Sequence, residues 1–161
     1  TEGALFIGSI GSASNHATLE RLGITHIVCA ADKARLAPQF TSLRVSITDK
    51  VDCDIIPYFK LTTSFINAAR ARGGRILVHC FQGISRASTL CAAYLLLAGV
   101  QTTVEDCLEA IRSVRLTAAP NTGFLRALAT LEASLRVSGG NLSSFAELHG
   151  VVSDAACKGQ C

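Results

Sequence analysis

Apolar positions along the chain follow two different periods. Short runs rich in large and β-branched apolar side chains occur at 5–7, 26–29, 43–47 and 76–79, each the length of a buried strand. Between and after them the spacing changes to three and four. Beyond Asp54, the residues Ile55, Phe59, Thr62, Ile66 and Ala69 lie on one helical face, and Gly73-Gly74 stops that helix before a strand at 75–79. The stretch 86–98 is apolar on nearly every side, as a helix at the centre of a domain must be. Thr102 and Glu105 have capping-box spacing ahead of Val104, Leu108 and Ile111. A further helix is predicted from Pro120-Asn121, carrying Phe124, Leu128, Leu131 and Leu135. Strands alternating with helices predict an α/β fold.

The length of 161 residues and a hydrophobic content of 49% suit one sizeable core, so one domain is expected over 1–137. Ser138-Gly139-Gly140-Asn141 reads as a linker. The tail at 138–161, with Phe145, Leu148, Val151 and Val152 to pack, is expected to dock on that domain. Fifteen basic and 12 acidic residues, net +3, form no dense block. Neither a nucleic-acid groove nor a polybasic membrane anchor is indicated, whereas small anionic groups remain open as substrates. The longest strongly apolar stretch, 90–100, is too short to span a bilayer, and Thr1-Glu2-Gly3 lacks the charged start of a leader. A cytoplasmic setting, with the nucleus as alternative, is the expectation. Seven cysteines at irregular spacings do not form a secreted disulfide framework.

A cysteine followed after five residues by arginine occurs twice, at Cys29/Arg35 and at Cys80/Arg86. The first copy carries acidic Asp32 and no glycine, and it includes good helix formers. It reads as chance. The second, Cys80-Phe81-Gln82-Gly83-Ile84-Ser85-Arg86, lies between a buried strand and a buried helix and holds no acidic residue. A loop of that length can turn its N–H groups inward at a helix N-terminus and so cradle a tetrahedral dianion. Gly83 supplies the backbone freedom, and Arg86 can set its planar fork on two phosphoryl oxygens. The same N–H groups favour an ionised, nucleophilic Cys80. His79, just before it, is placed to orient the loop by hydrogen bonding.

The segment His79-Cys80-Phe81-Gln82-Gly83-Ile84-Ser85-Arg86 resembles the phosphate-binding loop of the protein tyrosine phosphatase superfamily. Ser88-Thr89-Leu90, Ala93-Tyr94-Leu95-Leu96, Pro120-Asn121-Thr122-Gly123-Phe124-Leu125, Leu5-Phe6-Ile7-Gly8-Ser9 and Leu22-Gly23-Ile24-Thr25-His26-Ile27-Val28 are similar to its dual-specificity branch. The resemblance covers about residues 4–135. It implies a central, mostly parallel sheet flanked by helices and a shallow site with loop residues 81–86 on the phosphate. It further implies hydrolysis of phosphotyrosine and phosphoserine or phosphothreonine in proteins through a cysteinyl-phosphate, with no metal or other cofactor.

The leaving oxygen needs a proton, and Asp49, Asp52 and Asp54 are the candidate donors. Asp49 follows a strand at the distance from the nucleophile where similar proteins carry their acid. Asp52 and Asp54 suit the cap of the helix at Ile55. Asn121 resembles the asparagine that supports the phosphate loop, and it is equally a cap beside Pro120. Arg115 is either a second phosphate contact or a solvated helix-end residue, the latter preferred. Cys157, Cys161 and His149 have no metal-site spacing. In the family a serine or threonine usually follows the arginine, where its hydroxyl assists departure of the thiolate. This chain has Ala87, and Ser88 lies about 100° further round the helix. Uncharged Phe81, Gln82, Ile84 and Ser85 favour phosphoproteins over phosphoinositides or RNA 5′ ends. Retention of both Cys80 and Asp49 argues against a catalytically weak phosphopeptide-binding module.

Overall fold

The computed structural model describes residues 3–32 and 34–138. In chain order the elements are β1 (Leu5–Gly8), α1 (Ile10–Ser14), α2 (His16–Arg21), β2 (Ile24–Cys29), β3 (Thr41–Arg44), α3 (Ile56–Arg70), β4 (Arg75–His79), α4 (Arg86–Leu97), α5 (Val104–Val114) and α6 (Thr122–Val137). The four strands are parallel in the order β1-β4-β2-β3. Helices cover both faces, which is why the strands read as nearly continuous apolar runs.

Strand alternation divides the apolar side chains between two cores. Val28, Ile76 and Val78 face the larger one with Phe59, Ile66, Leu90, Phe124, Leu128 and Leu131. Ile27, Cys29 and Leu77 face a smaller one with Leu19, Phe40 and Ala31. Helix α4 packs against α3, α5 and α6 and is buried around most of its circumference. Phe59, Leu90 and Phe124 are fully buried, each contributing about 2–3 kcal/mol by leaving water. The helices that hold the strand-to-helix loop after β4 are therefore themselves held in the main core.

Two local expectations are corrected. Helix α5 is capped by Thr103, not Thr102: Thr103 Oγ1 accepts from the Asp106 N–H at 3.1 Å and donates to Asp106 Oδ2 at 2.7 Å. Strand β3 covers Thr41–Arg44, not 43–47. Val45 still bonds to the Cys29 carbonyl at 2.9 Å, but Ile47 N–H then turns back to the Val45 carbonyl at 3.1 Å. Both side chains remain in the core, so the apolar run reports burial and extends past the end of the pairing. The expected docking of the tail falls at 139–161, outside the described residues. Among the described residues no helix is long and apolar enough to cross a membrane.

Candidate active site

Strand β4 ends at His79 between β1 and β2, with its last carbonyl accepting from the Ala30 N–H at 2.8 Å. Cys80 follows, 1% exposed, and the chain turns through residues 81–85 into α4. The loop's shape is set by donors around it. The Phe81 carbonyl accepts from Ile10 N–H at 3.1 Å. Gln82 and Gly83 carbonyls accept from Arg115 Nη2 at 2.6 Å and Nε at 3.2 Å. The Ile84 carbonyl accepts from Ala119 N–H at 2.9 Å and also from Ser88 Oγ. The Ser85 carbonyl accepts from Ser88 Oγ at 2.9 Å and Thr89 Oγ1 at 2.8 Å.

In a planar trans peptide the C=O and the following N–H point in opposite directions. Drawing five successive carbonyls away therefore turns the N–H groups of residues 82–86 the other way. Gly83 shows the result: its N–H donates to Cys80 Sγ at 3.2 Å. Its φ of +72° is open to glycine, and a β-carbon would lie 2.5 Å from the Gly8 carbonyl oxygen. This is an anion-binding concavity with a sulfur at its base.

Arg86 begins α4 with its side chain largely buried. Nη1 donates to the Ile47 carbonyl at 3.3 Å, while Nε makes no hydrogen bond among the described residues and lies 3.9 Å from Asp49 Oδ2. Asp49 Oδ1 accepts from Ser85 Oγ at 2.7 Å and from Asn121 Nδ2 at 2.8 Å. Asn121 N–H donates to Ser85 Oγ at 3.1 Å, and Asn121 Oδ1 caps α6 by accepting from Phe124 N–H at 2.9 Å. Asn121 is thus the helix cap, and its side-chain amide reaches Asp49 while only its main-chain N–H meets the loop, at Ser85. Asp54 Oδ1 accepts from Ile56 N–H at 3.1 Å at the start of α3, and Asp52 is exposed. Of the three carboxylates, Asp49 is the one brought against Arg86.

Half-buried Arg115 has a contact that neither reading included: its guanidinium donates to carbonyls of the loop. Nothing in local sequence distinguishes such an arginine from one at a helix end. His79 is buried, which pushes its imidazole below the ordinary range, and its Nδ1 stands 3.4 Å from the Cys80 carbonyl, a weak contact. Ala87 is fully buried, and the Ser88 hydroxyl is directed to carbonyls of the loop. Exposed Phe81 and Val51 stand at the margin. A depression of about 370 Å³ beside the site is lined by Ile10, Ala31, Asp32, Ala34, Phe81 and Arg86.

The Cys29 copy has the opposite polarity. None of its described residues is helical, and Arg44 donates to the carbonyls of Ala31 at 2.9 Å, Asp32 at 3.2 Å and Ala34 at 2.6 Å. Inward carbonyls on a cation cannot hold a phosphate. Burial also pushes the Cys29 thiol up, and the Cys91 and Cys107 thiols up to about 12. Among the described residues no group of three or more His, Cys, Asp or Glu is arranged to hold a metal ion. Cys157, Cys161 and His149 lie outside them.

Comparison with known proteins agrees with this architecture. Residues 5–134 match the family model described as dual specificity phosphatase, catalytic domain. Dual specificity protein phosphatase 1 of Arabidopsis thaliana is 39% identical over 139 residues, covering 85% of this chain and 70% of that protein. Dual specificity protein phosphatase PHS1 of the same plant is 40% identical over 134 residues, 80% of this chain but only 14% of that protein. The crystal structure of human DUSP28 superposes with a TM-score of 0.79 at 29% identity, covering 86% of this chain and 96% of that one. A parallel sheet whose central strand delivers a cysteine into an anion-binding loop, matched over residues 5–134, places this chain in the dual-specificity phosphatase family of protein phosphatases.

Proposed function

We propose that Cys80, Arg86 and Asp49 carry the phosphatase chemistry on phosphorylated protein side chains, within a catalytic domain at 1–137 and apart from the tail at 138–161. The phosphoryl group enters the bowl of residues 81–86, where N–H groups and the Arg86 fork take its oxygens. Cys80 Sγ attacks phosphorus as the bond to the substrate oxygen breaks, and Asp49 gives that oxygen a proton. Water then attacks the cysteinyl-phosphate. It transfers a proton to Asp49, and the S–P bond breaks to release phosphate and the thiolate.

The observation that carries this reading is the loop itself: five carbonyls drawn away, and the Gly83 N–H on Cys80 Sγ at 3.2 Å. Uncharged side chains at 81, 82, 84 and 85 support a single phosphate on a protein over a polyphosphorylated headgroup. A panel of phosphotyrosine, phosphoserine and phosphothreonine peptides with an inositol phosphate control tests it. Acid quenching during turnover should recover phosphate on Cys80. Faster release from the inositol phosphate than from every peptide, or no label on Cys80, overturns it.

A further inference from the structure

We infer that Ser85 and Asn121 are positioning residues for Asp49: together they hold its Oδ1 and leave Oδ2 to carry the transferable proton. The inference rests on the proposed acid role of Asp49 and assigns Ser85 a task other than phosphate contact.

Donor and acceptor directions around these atoms allow one arrangement. Asn121 Oδ1 is occupied by the Phe124 N–H at 2.9 Å, so the amide's orientation is set by the helix cap and Nδ2 must face Asp49. The Ser85 oxygen receives the Asn121 main-chain N–H at 3.1 Å, so its own proton points to Asp49 Oδ1, 2.7 Å away. Oδ1 therefore accepts two hydrogen bonds and is a poor place for a proton. Oδ2 is on the Arg86 side, 3.9 Å from Nε, nearest to where a bound phosphoryl group meets that guanidinium.

Each partner is anchored independently of Asp49. Ser85 is 6% exposed, and its carbonyl is bonded by Ser88 and Thr89 of α4. Asn121 caps α6, and Gly123 brings that helix against the backbone of Val51, two residues beyond Asp49. The three side chains come from positions 49, 85 and 121, so the phosphate loop, the acid loop and the start of α6 meet at one carboxylate oxygen. In the proton transfer, the O–H bond at Oδ2 breaks as the leaving oxygen gains the proton. Oδ1 keeps both hydrogen bonds throughout.

The test is a double-mutant cycle read across aryl phosphates of graded leaving-group basicity. Ser85→Ala and Asn121→Ala should each lower kcat/KM about tenfold or more on the poorest leaving groups and less than threefold on the best. In an Asp49→Asn background the same changes should cost less than twofold, because the proton they position is already gone. Ser85→Thr, which keeps the hydroxyl, should recover most of the loss. Equal losses for all leaving groups, multiplying fully with Asp49→Asn, would show instead that Ser85 and Asn121 support the phosphate loop, and would overturn the inference. If Ser85→Ala does not fold, Asn121→Ser decides: serine can still cap Phe124 but cannot reach Asp49, so wild-type leaving-group dependence overturns it. A leaving-group-independent effect of Asp49→Asn by itself contradicts the proposed acid and not this relay alone.

Discussion

Gly123 lies so close to Val51 that a β-carbon on it would stand 2.0 Å from the Val51 carbonyl oxygen. The first turn of α6 thus serves as a seat for the loop that carries Asp49. Gly123→Ala must push that loop away, at about 1–3 kcal/mol of stability. A displacement near 1 Å should lower kcat/KM about tenfold to a hundredfold on poor leaving groups. Thermal unfolding and an aryl phosphate series check both effects. Wild-type dependence on leaving-group basicity in a folded Gly123→Ala protein would show that the contact does not govern the acid.

Cys80→Ser should keep fold and phosphopeptide binding while losing turnover, since a hydroxyl ionises far less readily than a thiol in the same bowl. Cys29→Ser should change turnover by less than twofold, because that sulfur is buried beside the Ala31 carbonyl at 3.5 Å. Assays of the pure variants decide it: comparable losses in both would remove the distinction between the two Cys-to-Arg segments.

Ala87 offers no hydroxyl to Cys80, the proposed leaving thiolate, and Ser88 is bonded to Ile84 and Ser85 carbonyls. The cysteinyl-phosphate should therefore accumulate, giving a burst of phenol on an activated aryl phosphate. Ala87→Ser should raise kcat roughly fivefold or more, the scale of ~1–2 kcal/mol for one hydrogen bond to a charged group. It should leave kcat/KM nearly unchanged. Stopped-flow traces without a burst, with the same kcat in both proteins, would make the alanine neutral.

His79 couples stability to pH. Burial lowers its imidazole from an ordinary value of 6.5; a hydrogen bond with the Cys80 carbonyl opposes this shift, and the Arg44 charge reinforces it. As pH falls below about 6.5 the unfolded chain takes up a proton that the folded chain refuses, so stability is lost until the lowered folded value is reached. His26, lowered chiefly by burial, acts in the same direction. For buried His79 each fully effective unit of pH costs about 1.4 kcal/mol, and for the more exposed His26 solvent screening makes the cost smaller. Urea unfolding from pH 7.5 to 5.5 should show the slope, and His79→Gln should reduce it. An unaltered slope in that variant would assign the linkage to other groups.

The α/β architecture was legible because strand and helix periods differ and the buried runs are long enough to show which applies. The Cys80–Arg86 loop was legible because its residues are consecutive. What escaped depends on side chains meeting across the sequence. Arg115 reaching Gln82 and Gly83, or Asp49, Ser85 and Asn121 converging at separations of 36 and 72 residues, leaves no local pattern. Thr102 and Thr103 compete for one cap, and only backbone geometry chooses between them. Strand β3 is shorter than its apolar run because the run continues for the core, through Ile47, past the end of the ladder.

Strand β4 has a paired neighbour on each side and feeds directly into Cys80. Its main-chain amides should therefore exchange hydrogen with solvent only when the whole domain opens. The sulfur proposed to react is thus attached to a doubly paired strand, while the loop of the proposed acid is held by side chains and one close backbone approach. On heating or in denaturant, proton delivery should fail first, through local opening around 49–53, leaving a protein that still captures phosphate. Capture itself should disappear only with global unfolding, so the two losses separate in temperature and their gap measures how loosely the acid's loop is tethered.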